Sequence, residues 1–353
     1  MLYIRADGNP EIGTGHIMRC LSIADALQGL GEKAVFFIAD ESMEAVISGR
    51  GYDVICLHSE WANLNAEIEK MVELVVTHGV GKLLIDSYYV TQQYLQELNK
   101  LTYLIYMDDL NMFHYPCDML VNYNCYADKF DYTSRYPDTS LLLGCHYAPL
   151  REEFQDLPHR NLVKIVKSVL ITTGGTAPHN VAGKIVKIAK TSPGLETLEF
   201  HITAGHFNAY AEHEDEFRRL ATEYEGIIVH RNVQSMSRLM LDCDIAISAG
   251  GSTLYELCAC GTPTIAFSQA DNQIEAVARF GDSCMISAGD FRASEKECLG
   301  KIIDGVRRLA ADFELRRELS EKAQRLVDGR GARRLAAVLK RKKSINTSGF
   351  LVQ

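Results

Sequence analysis

The chain has 353 residues, 47% of them apolar and 24% charged, with a formal net charge of −9. This length predicts two domains with ordinary cores. The acidic balance, with lysines and arginines scattered, excludes a general attraction to nucleic acid. The opening residues Met1-Leu2-Tyr3-Ile4-Arg5 run straight into a strand-like segment without a basic and then apolar leader. No apolar stretch approaches the ~20 residues that span a bilayer. Ten cysteines in a chain of this class read as reduced thiols, and Cys258 and Cys260 lack the second pair or histidines that a zinc site needs. A cytoplasmic protein with no membrane partner and no metal is expected.

In chain order, apolar β-type runs are predicted as strands over 2–5, 34–38, 54–57, 83–85, 103–107 and 119–121, with helical patterns over 17–28, 42–48, 65–78 and 92–100 between them. The second half repeats the plan. Its strands are predicted over 168–172, 199–203, 227–230, 245–247, 264–267 and 284–286, and its helices around 180–190, 209–224, 235–241, 253–260 and 272–280. From Ser294 to Lys342 the pattern is helical and charged, and residues 343–353 show no periodicity. Nearly continuous apolar strands alternating with amphipathic helices indicate parallel sheets covered on both faces. The expected organisation is an α/β fold with a first domain over 1–155, a second over 156–342 and a tail over 343–353.

Chemistry-bearing residues cluster where strands end. After the first strand comes Asp7-Gly8-Asn9-Pro10-Glu11-Ile12-Gly13-Thr14-Gly15-His16, a glycine-bearing turn into a helix that lets backbone come close to a ligand. The third glycine of the dinucleotide fingerprint is missing, which argues against NAD. His16 starts the helix, whose positive end disfavours an imidazolium, so a neutral ring able to take a proton from water is one reading, and a ring that only caps the helix or hydrogen-bonds the loop is the other. Asp7 either orients this ring or structures the loop. Ile85-Asp86-Ser87-Tyr88-Tyr89 follows another strand on the same rim, where a tyrosine hydroxyl serves a sugar or phosphate oxygen, or the ring only packs. Asp108-Asp109 reads as solvated loop acids or hydroxyl acceptors, without the further carboxylates of a magnesium cage.

In the second half, Thr172-Thr173-Gly174-Gly175-Thr176 and Ser248-Ala249-Gly250-Gly251-Ser252-Thr253 each join a strand to a helix. Such turns aim backbone N–H groups at a diphosphate, or merely allow close packing. Ser252 and Thr253 add hydroxyls. Glu256, one helical turn deeper, suits the two hydroxyls of a ribose. Asn272 and Gln273 after the next strand suit a sugar, with a helix cap by Asp271 or Asn272 as the alternative. The ATP-binding Gly-Lys-Ser/Thr loop is missing, since Gly183-Lys184 lies inside a helix.

Gly13-Thr14-Gly15-His16, Asp86-Ser87-Tyr88, Tyr147-Ala148-Pro149-Leu150-Arg151-Glu152-Glu153-Phe154, Gly174-Gly175-Thr176 and the segment 248–256 occur in an order and spacing that resembles the UDP-sugar hydrolases of pseudaminic acid biosynthesis. That family is itself similar to MurG-type glycosyltransferases of the GT-B fold. The likeness runs from the first strand to about Gly281. It implies two doubly wound Rossmann-type domains facing a central cleft, with the helices after Ser294 completing the architecture and a final helix crossing back to the first domain. It further implies release of UDP from UDP-2,4-diacetamido-2,4,6-trideoxy-β-L-altropyranose by inverting attack of water, with no cofactor and no metal. His16 and Tyr88 match the family's catalytic positions. Gly174, Gly175, Thr176, Gly250, Gly251, Ser252, Thr253 and Glu256 fall on the UDP side, and Gly13, Gly15, Asp86, Arg151, Asn272 and Gln273 on the substrate side. A hydrolase of a related UDP-diacetamido sugar, a GT-B glycosyltransferase, a UDP-sugar 2-epimerase and a non-catalytic UDP-sugar sensor share the same nucleotide cradle.

Overall fold

Strands form where Val, Ile, Leu and Phe run almost without interruption, because both faces of a parallel sheet are covered by helices. In the computed structural model, which describes residues 1–173, 179–203, 214–231 and 233–342, the strands are β1 (Leu2–Ala6), β2 (Ala34–Ile38), β3 (Asp53–Cys56), β4 (Lys82–Asp86), β5 (Tyr103–Met107), β6 (Met119–Asn122) and β7 (Ser140–Leu143), then β8 (Ser168–Thr172), β9 (Glu199–Thr203), β10 (Ile227–His230), β11 (Ile245–Ala249), β12 (Thr264–Ser268) and β13 (Ile286–Asp290). The helices are α1 (Gly15–Gln28), α2 (Glu44–Ser48), α3 (Ile68–Thr77), α4 (Gln92–Asn99) and α5 (Tyr132–Arg135), followed by α6 (Val181–Lys190), α7 (Glu214–Glu223), α8 (Met236–Asp242), α9 (Thr253–Cys260), α10 (Asp271–Ser283), α11 (Glu295–Ala311), α12 (Phe313–Leu326) and α13 (Gly331–Arg341).

The strands assemble into two sheets, β3-β2-β1-β4-β5-β6-β7 and β10-β9-β8-β11-β12-β13, and every neighbouring pair is parallel. Strand order reverses between β1 and β4 in the first sheet and between β8 and β11 in the second. Open α/β sheets bind ligands outside the carboxyl ends of strands at such reversals.

The chain divides into two compact units, Met1–Glu152 with the segment from Arg330 onward, and Glu153–Gly329. Each has its own core. One gathers Phe37, Leu83, Ile85, Leu104 and Leu120, and the other gathers Ile171, Phe200, Ile247, Ile265 and Ile302. The second unit is thus shorter than the span 156–342, because α13 belongs with the first. Its buried Ala332, Leu335, Ala336 and Leu339 recur at helical spacing. Lys82 Nζ donates to Leu339 O at 2.8 Å, and Arg334 Nη1 donates to His146 O at 2.9 Å. Gly331 is required where the helix begins, since a Cβ there would lie 2.1 Å from Ala148 O. Among the described residues no helix is long and apolar enough to cross a membrane. The expected tail over 343–353 lies outside the described residues.

Candidate functional site

The first site is built at the reversal between β1 and β4, where Ala6 pairs with Asp86. The loop from β1 into α1 is folded by its own polar groups. Asn9 and Gly13 exchange backbone hydrogen bonds (3.2 and 2.8 Å), and Asn9 Oδ1 accepts from the N–H of Glu11 and Ile12. Gly13 closes this turn at φ +76, a conformation that glycine adopts without strain. Asp7 is the anchor of the loop rather than the partner of the imidazole. Its Oδ1 accepts from Ala39 N at 2.7 Å and its Oδ2 from Arg5 Nη1 at 2.5 Å. Arg5 in turn donates through Nε to Glu67 Oε1 at 2.7 Å, which ties the loop to a fully buried ion network.

α1 begins at Gly15, after Thr14 in the cap position without a side-chain cap. His16 as a whole is 6% exposed. Its Nδ1 lies 2.7 Å from Asp86 Oδ1. Burial alone would raise the Asp86 carboxyl, but the Arg19 guanidinium and the neighbouring imidazole outweigh it and hold the group well below the usual carboxylate range. An ionised carboxylate can only accept, so the proton between the two groups sits on Nδ1. The lone pair of a neutral ring is then on Nε2. Among the described residues Nε2 has no hydrogen-bond partner, and it is not one of the side-chain atoms sealed from solvent. Tyr88 packs edge-on against this ring, with centroids 4.6 Å apart. Burial, and after it the Asp109 carboxylate, pushes the Tyr88 hydroxyl well above its ordinary value, so it stays a donor at neutral pH. It too lacks a partner among the described residues. A proton acceptor and a proton donor thus stand side by side at the carboxyl end of the sheet.

Several expected residues are placed differently. Asp86 is not a substrate contact. It is 0% exposed, with one oxygen on His16 and the other accepting from Arg19 Nε at 2.6 Å and from the Cys20 thiol at 3.5 Å. Asp108 and Asp109 are not solvated acids either. Asp108 accepts from the N–H of Leu110 and Asn111 and from the Tyr132 hydroxyl, and Asp109 accepts from Arg19 Nη1 and Asn124 Nδ2. Gly15 leaves open space where a Cβ would stand, so the protein itself does not demand glycine there. Arg151 lies half-buried at the end of the first unit's leading segment. Sequence reasoning missed Arg19, which donates to both oxygens of Asp86, to Asp109 Oδ2 (2.9 Å) and to the Tyr123 hydroxyl (2.9 Å). The signal was available. A charged residue three positions after His16, among the buried Ile17, Cys20 and Leu21, stands out on an apolar helix face.

The second site lies at the reversal between β8 and β11. Gly174, Gly175 and Thr176, which follow β8, fall outside the described residues. After β11, Gly250 is held by packing, because a Cβ would meet Val277 Cγ2 at 2.6 Å and Gln273 O at 3.1 Å. Gly251 would meet nothing within 4 Å. Ser252 is exposed and precedes α9 without capping it. Among the described residues the backbone N–H groups of Ser252 and Thr253 have no partner, so they are available at the positive end of the helix. Glu256 is half-buried in the first turn of α9. Asn272 is exposed in the first turn of α10, and neither it nor Asp271 caps that helix, since the cap position is Ala270. Gln273 uses its side-chain oxygen on Gln269 N at 3.0 Å, closing the turn before α10, so the expected substrate contact is reduced to its NH2 group.

The chain matches no protein-family model. It is 24% identical to the spore coat polysaccharide biosynthesis protein SpsG of Bacillus subtilis over 345 residues, 95% of this chain and 96% of that protein. It is 26% identical to the uncharacterized protein MJ1062 of Methanocaldococcus jannaschii over 285 residues, 77% of this chain but only 56% of that longer protein. It is 28% identical to the UDP-2,4-diacetamido-2,4,6-trideoxy-β-L-altropyranose hydrolase of Campylobacter jejuni over 240 residues, 64% of this chain and 82% of that enzyme. Among solved structures, MurG of Acinetobacter baumannii superposes with a TM-score of 0.67 at 11% identity, covering 97% of this chain and 99% of that one. The spinosyn rhamnosyltransferase SpnG superposes with a TM-score of 0.63 at 15% identity, covering 96% and 99%. With its two parallel sheets and flanking helices, the chain has the α/β fold of GT-B glycosyltransferases such as MurG and SpnG.

Proposed function

We propose that the protein is a UDP-sugar hydrolase that releases UDP from UDP-2,4-diacetamido-2,4,6-trideoxy-β-L-altropyranose, with inversion at the anomeric carbon. The carrying observation is the His16 ring, locked by Asp86 through Nδ1 and open at Nε2 beside the Tyr88 hydroxyl. Nε2 takes a proton from the attacking water as the new C–O bond forms, while the bond to the UDP oxygen breaks and the electron pair leaves on UDP. UDP is a good leaving group, so an oriented water, a base and donors facing the diphosphate are what the chemistry requires. Tyr88 is the donor to a sugar or phosphate oxygen. On the nucleotide side, the N–H groups of Ser252 and Thr253 with the Ser252 hydroxyl take the diphosphate, joined by Gly174, Gly175 and Thr176, while Glu256 accepts from the ribose hydroxyls. Asn272 serves the sugar. The Campylobacter hydrolase, similar over 64% of this chain, supports this substrate class.

The test is incubation of the protein with UDP-diacetamido sugars and no acceptor, followed by proton NMR. Free sugar of inverted configuration and UDP in equal amounts are expected. Consumption of substrate only after an acceptor is added would make it a glycosyltransferase, and a UDP-linked product would make it an epimerase.

A further inference from the structure

The proposed hydrolysis needs an imidazole that is neutral as well as oriented, and the surroundings of His16 do not guarantee this by themselves. The buried carboxylate of Asp86 lies against it, and a second buried carboxylate, Asp109, is joined to Asp86 through the guanidinium of Arg19. A buried carboxylate next to an imidazole ordinarily draws a second proton onto the ring and makes an ion pair, which leaves Nε2 without a lone pair. Another cation must satisfy both acids first.

Arg19 has that position. It lies three residues after His16, one turn along the same face of α1. Its Nε donates to Asp86 Oδ2 at 2.6 Å and its Nη2 donates to Asp86 Oδ1, so the planar fork meets the carboxylate edge-on. Nη1 reaches Asp109 Oδ2 and the Tyr123 hydroxyl, both at 2.9 Å. The same Nη2 lies 3.1 Å from His16 Nδ1, where a fixed positive charge opposes a second one on the ring. The thiol of Cys20 and the hydroxyls of Tyr88 and Tyr123, which touch Asp86, the ring and Arg19 respectively, are neutral. Burial pushes the Cys20 thiol and the Tyr88 hydroxyl well above their ordinary values, and pushes the Tyr123 hydroxyl up to about 12. Arg19 itself stays charged. Burial works against it, but the Asp109 and Asp86 carboxylates prevail.

We propose that Arg19 is the positioning residue of this site: it holds Asp86 edge-on so that the shared proton sits on Nδ1 and, as counter-charge to Asp86 and Asp109, it keeps the imidazole a neutral base. Lysine cannot reproduce the fork, although it keeps the charge. The two variants therefore separate the two parts of the role. Arg19→Met removes the charge, and the ring becomes the counter-ion of Asp86. Arg19→Lys keeps the ring neutral but loosens Asp86.

This inference rests on the hydrolase reading only for its activity readout. The ring state is read by nitrogen-15 NMR of the histidine-labelled full chain at pH 7 without substrate. In the wild type a neutral His16 ring with the proton on Nδ1 is expected. In Arg19→Met both ring nitrogens should carry protons, turnover at pH 7 should fall about 10²-fold, and the acid limb of UDP release should move up by about 1–3 pH units, so that activity recovers in alkali. In Arg19→Lys the limb should stay in place while turnover falls. Should Arg19→Met not fold, the double variant Arg19→Met with Asp109→Asn removes the second buried carboxylate and is read in the same way. A wild-type ring with its proton on Nε2, or an unchanged ring state in the methionine variants, overturns the assignment. Failure of the wild type to release UDP would sink the hydrolase reading, while the NMR result would still decide the role of Arg19.

Discussion

At the scale of single residues, the arrangement around His16 separates positioning from chemistry. Asp86 is buried beneath the ring, so Asp86→Asn should act through the imidazole and through stability. Losing one partner of a buried ion pair costs ~3–5 kcal/mol. The pH dependence has a definite sign. The Asp86 carboxyl is held below its ordinary value by Arg19 and His16 against the opposing effect of burial. Its stabilisation is therefore fully present above about pH 4 and is lost as pH falls through the depressed value. Denaturant melts at pH 7 and pH 3 should show the stability gap between wild type and Asp86→Asn narrowing in acid. A gap that widened in acid would contradict the ionised assignment. Tyr88→Phe keeps the edge-on ring and removes only the hydroxyl, so a loss of about tenfold in turnover is expected with unchanged stability, in line with one hydrogen bond. The placement of His16 and Tyr88 on one rim was legible because each follows the end of an apolar strand. The depth of Asp86 was not, because it depends on the pairing of Ala6 with Asp86, which the sequence pattern leaves open. The burial of Arg19 among apolar neighbours of α1 is visible in the sequence, but its carboxylate partners are not, because Asp86 and Asp109 come from positions 67 and 90 residues away.

At the scale of elements, the turn from β11 into α9 pairs two glycines with different duties. Gly250 lets α10 come close, and a methyl group there would overlap Val277 and Gln273. Gly250→Ala should cost ~1–3 kcal/mol as overpacking, with weaker UDP binding as a consequence of moving α10. Gly251 faces open space. Gly251→Ala should leave stability within ~0.5 kcal/mol yet weaken UDP binding by about 1.4 kcal/mol, or tenfold, if backbone approach to the diphosphate is its purpose. Thermal melts with UDP titrations distinguish the two variants, and equal behaviour would remove the assigned difference. Most strands were legible from their apolar runs. β7 was not, since Ser140–Leu143 is a short run in a polar, tyrosine-rich segment without a helix before it long enough to suggest a crossover. β13 starts at Ile286 rather than 284, because Cys284 still serves as the C-cap of α10. Its pairing with β12 is irregular between Ala266 and Phe267, which blurs the strand period.

At the scale of the whole molecule, the two-sheet architecture was legible because β and α patterns alternate in both halves. The allegiance of the last helix was not legible by period alone, since an amphipathic face reads the same whichever core it covers. In the structure α13 joins the first unit and packs on α1, which adds to the burial of α1 by its own sheet. Deleting residues 330–353 should therefore destabilise the unit that carries His16, by up to ~3–6 kcal/mol for the lost burial of Leu335 and Leu339. Calorimetry of the truncated chain checks this, and an unchanged first unit would contradict the packing. The central claim, a water-activating imidazole in a UDP-sugar hydrolase, is tested most directly by comparing His16→Ala with the wild type on UDP-2,4-diacetamido-2,4,6-trideoxy-β-L-altropyranose, with UDP release and UDP affinity measured side by side. The expected result is a loss of ~10²–10⁴-fold in turnover with UDP affinity retained, and the contradicting result is near-normal turnover without the imidazole.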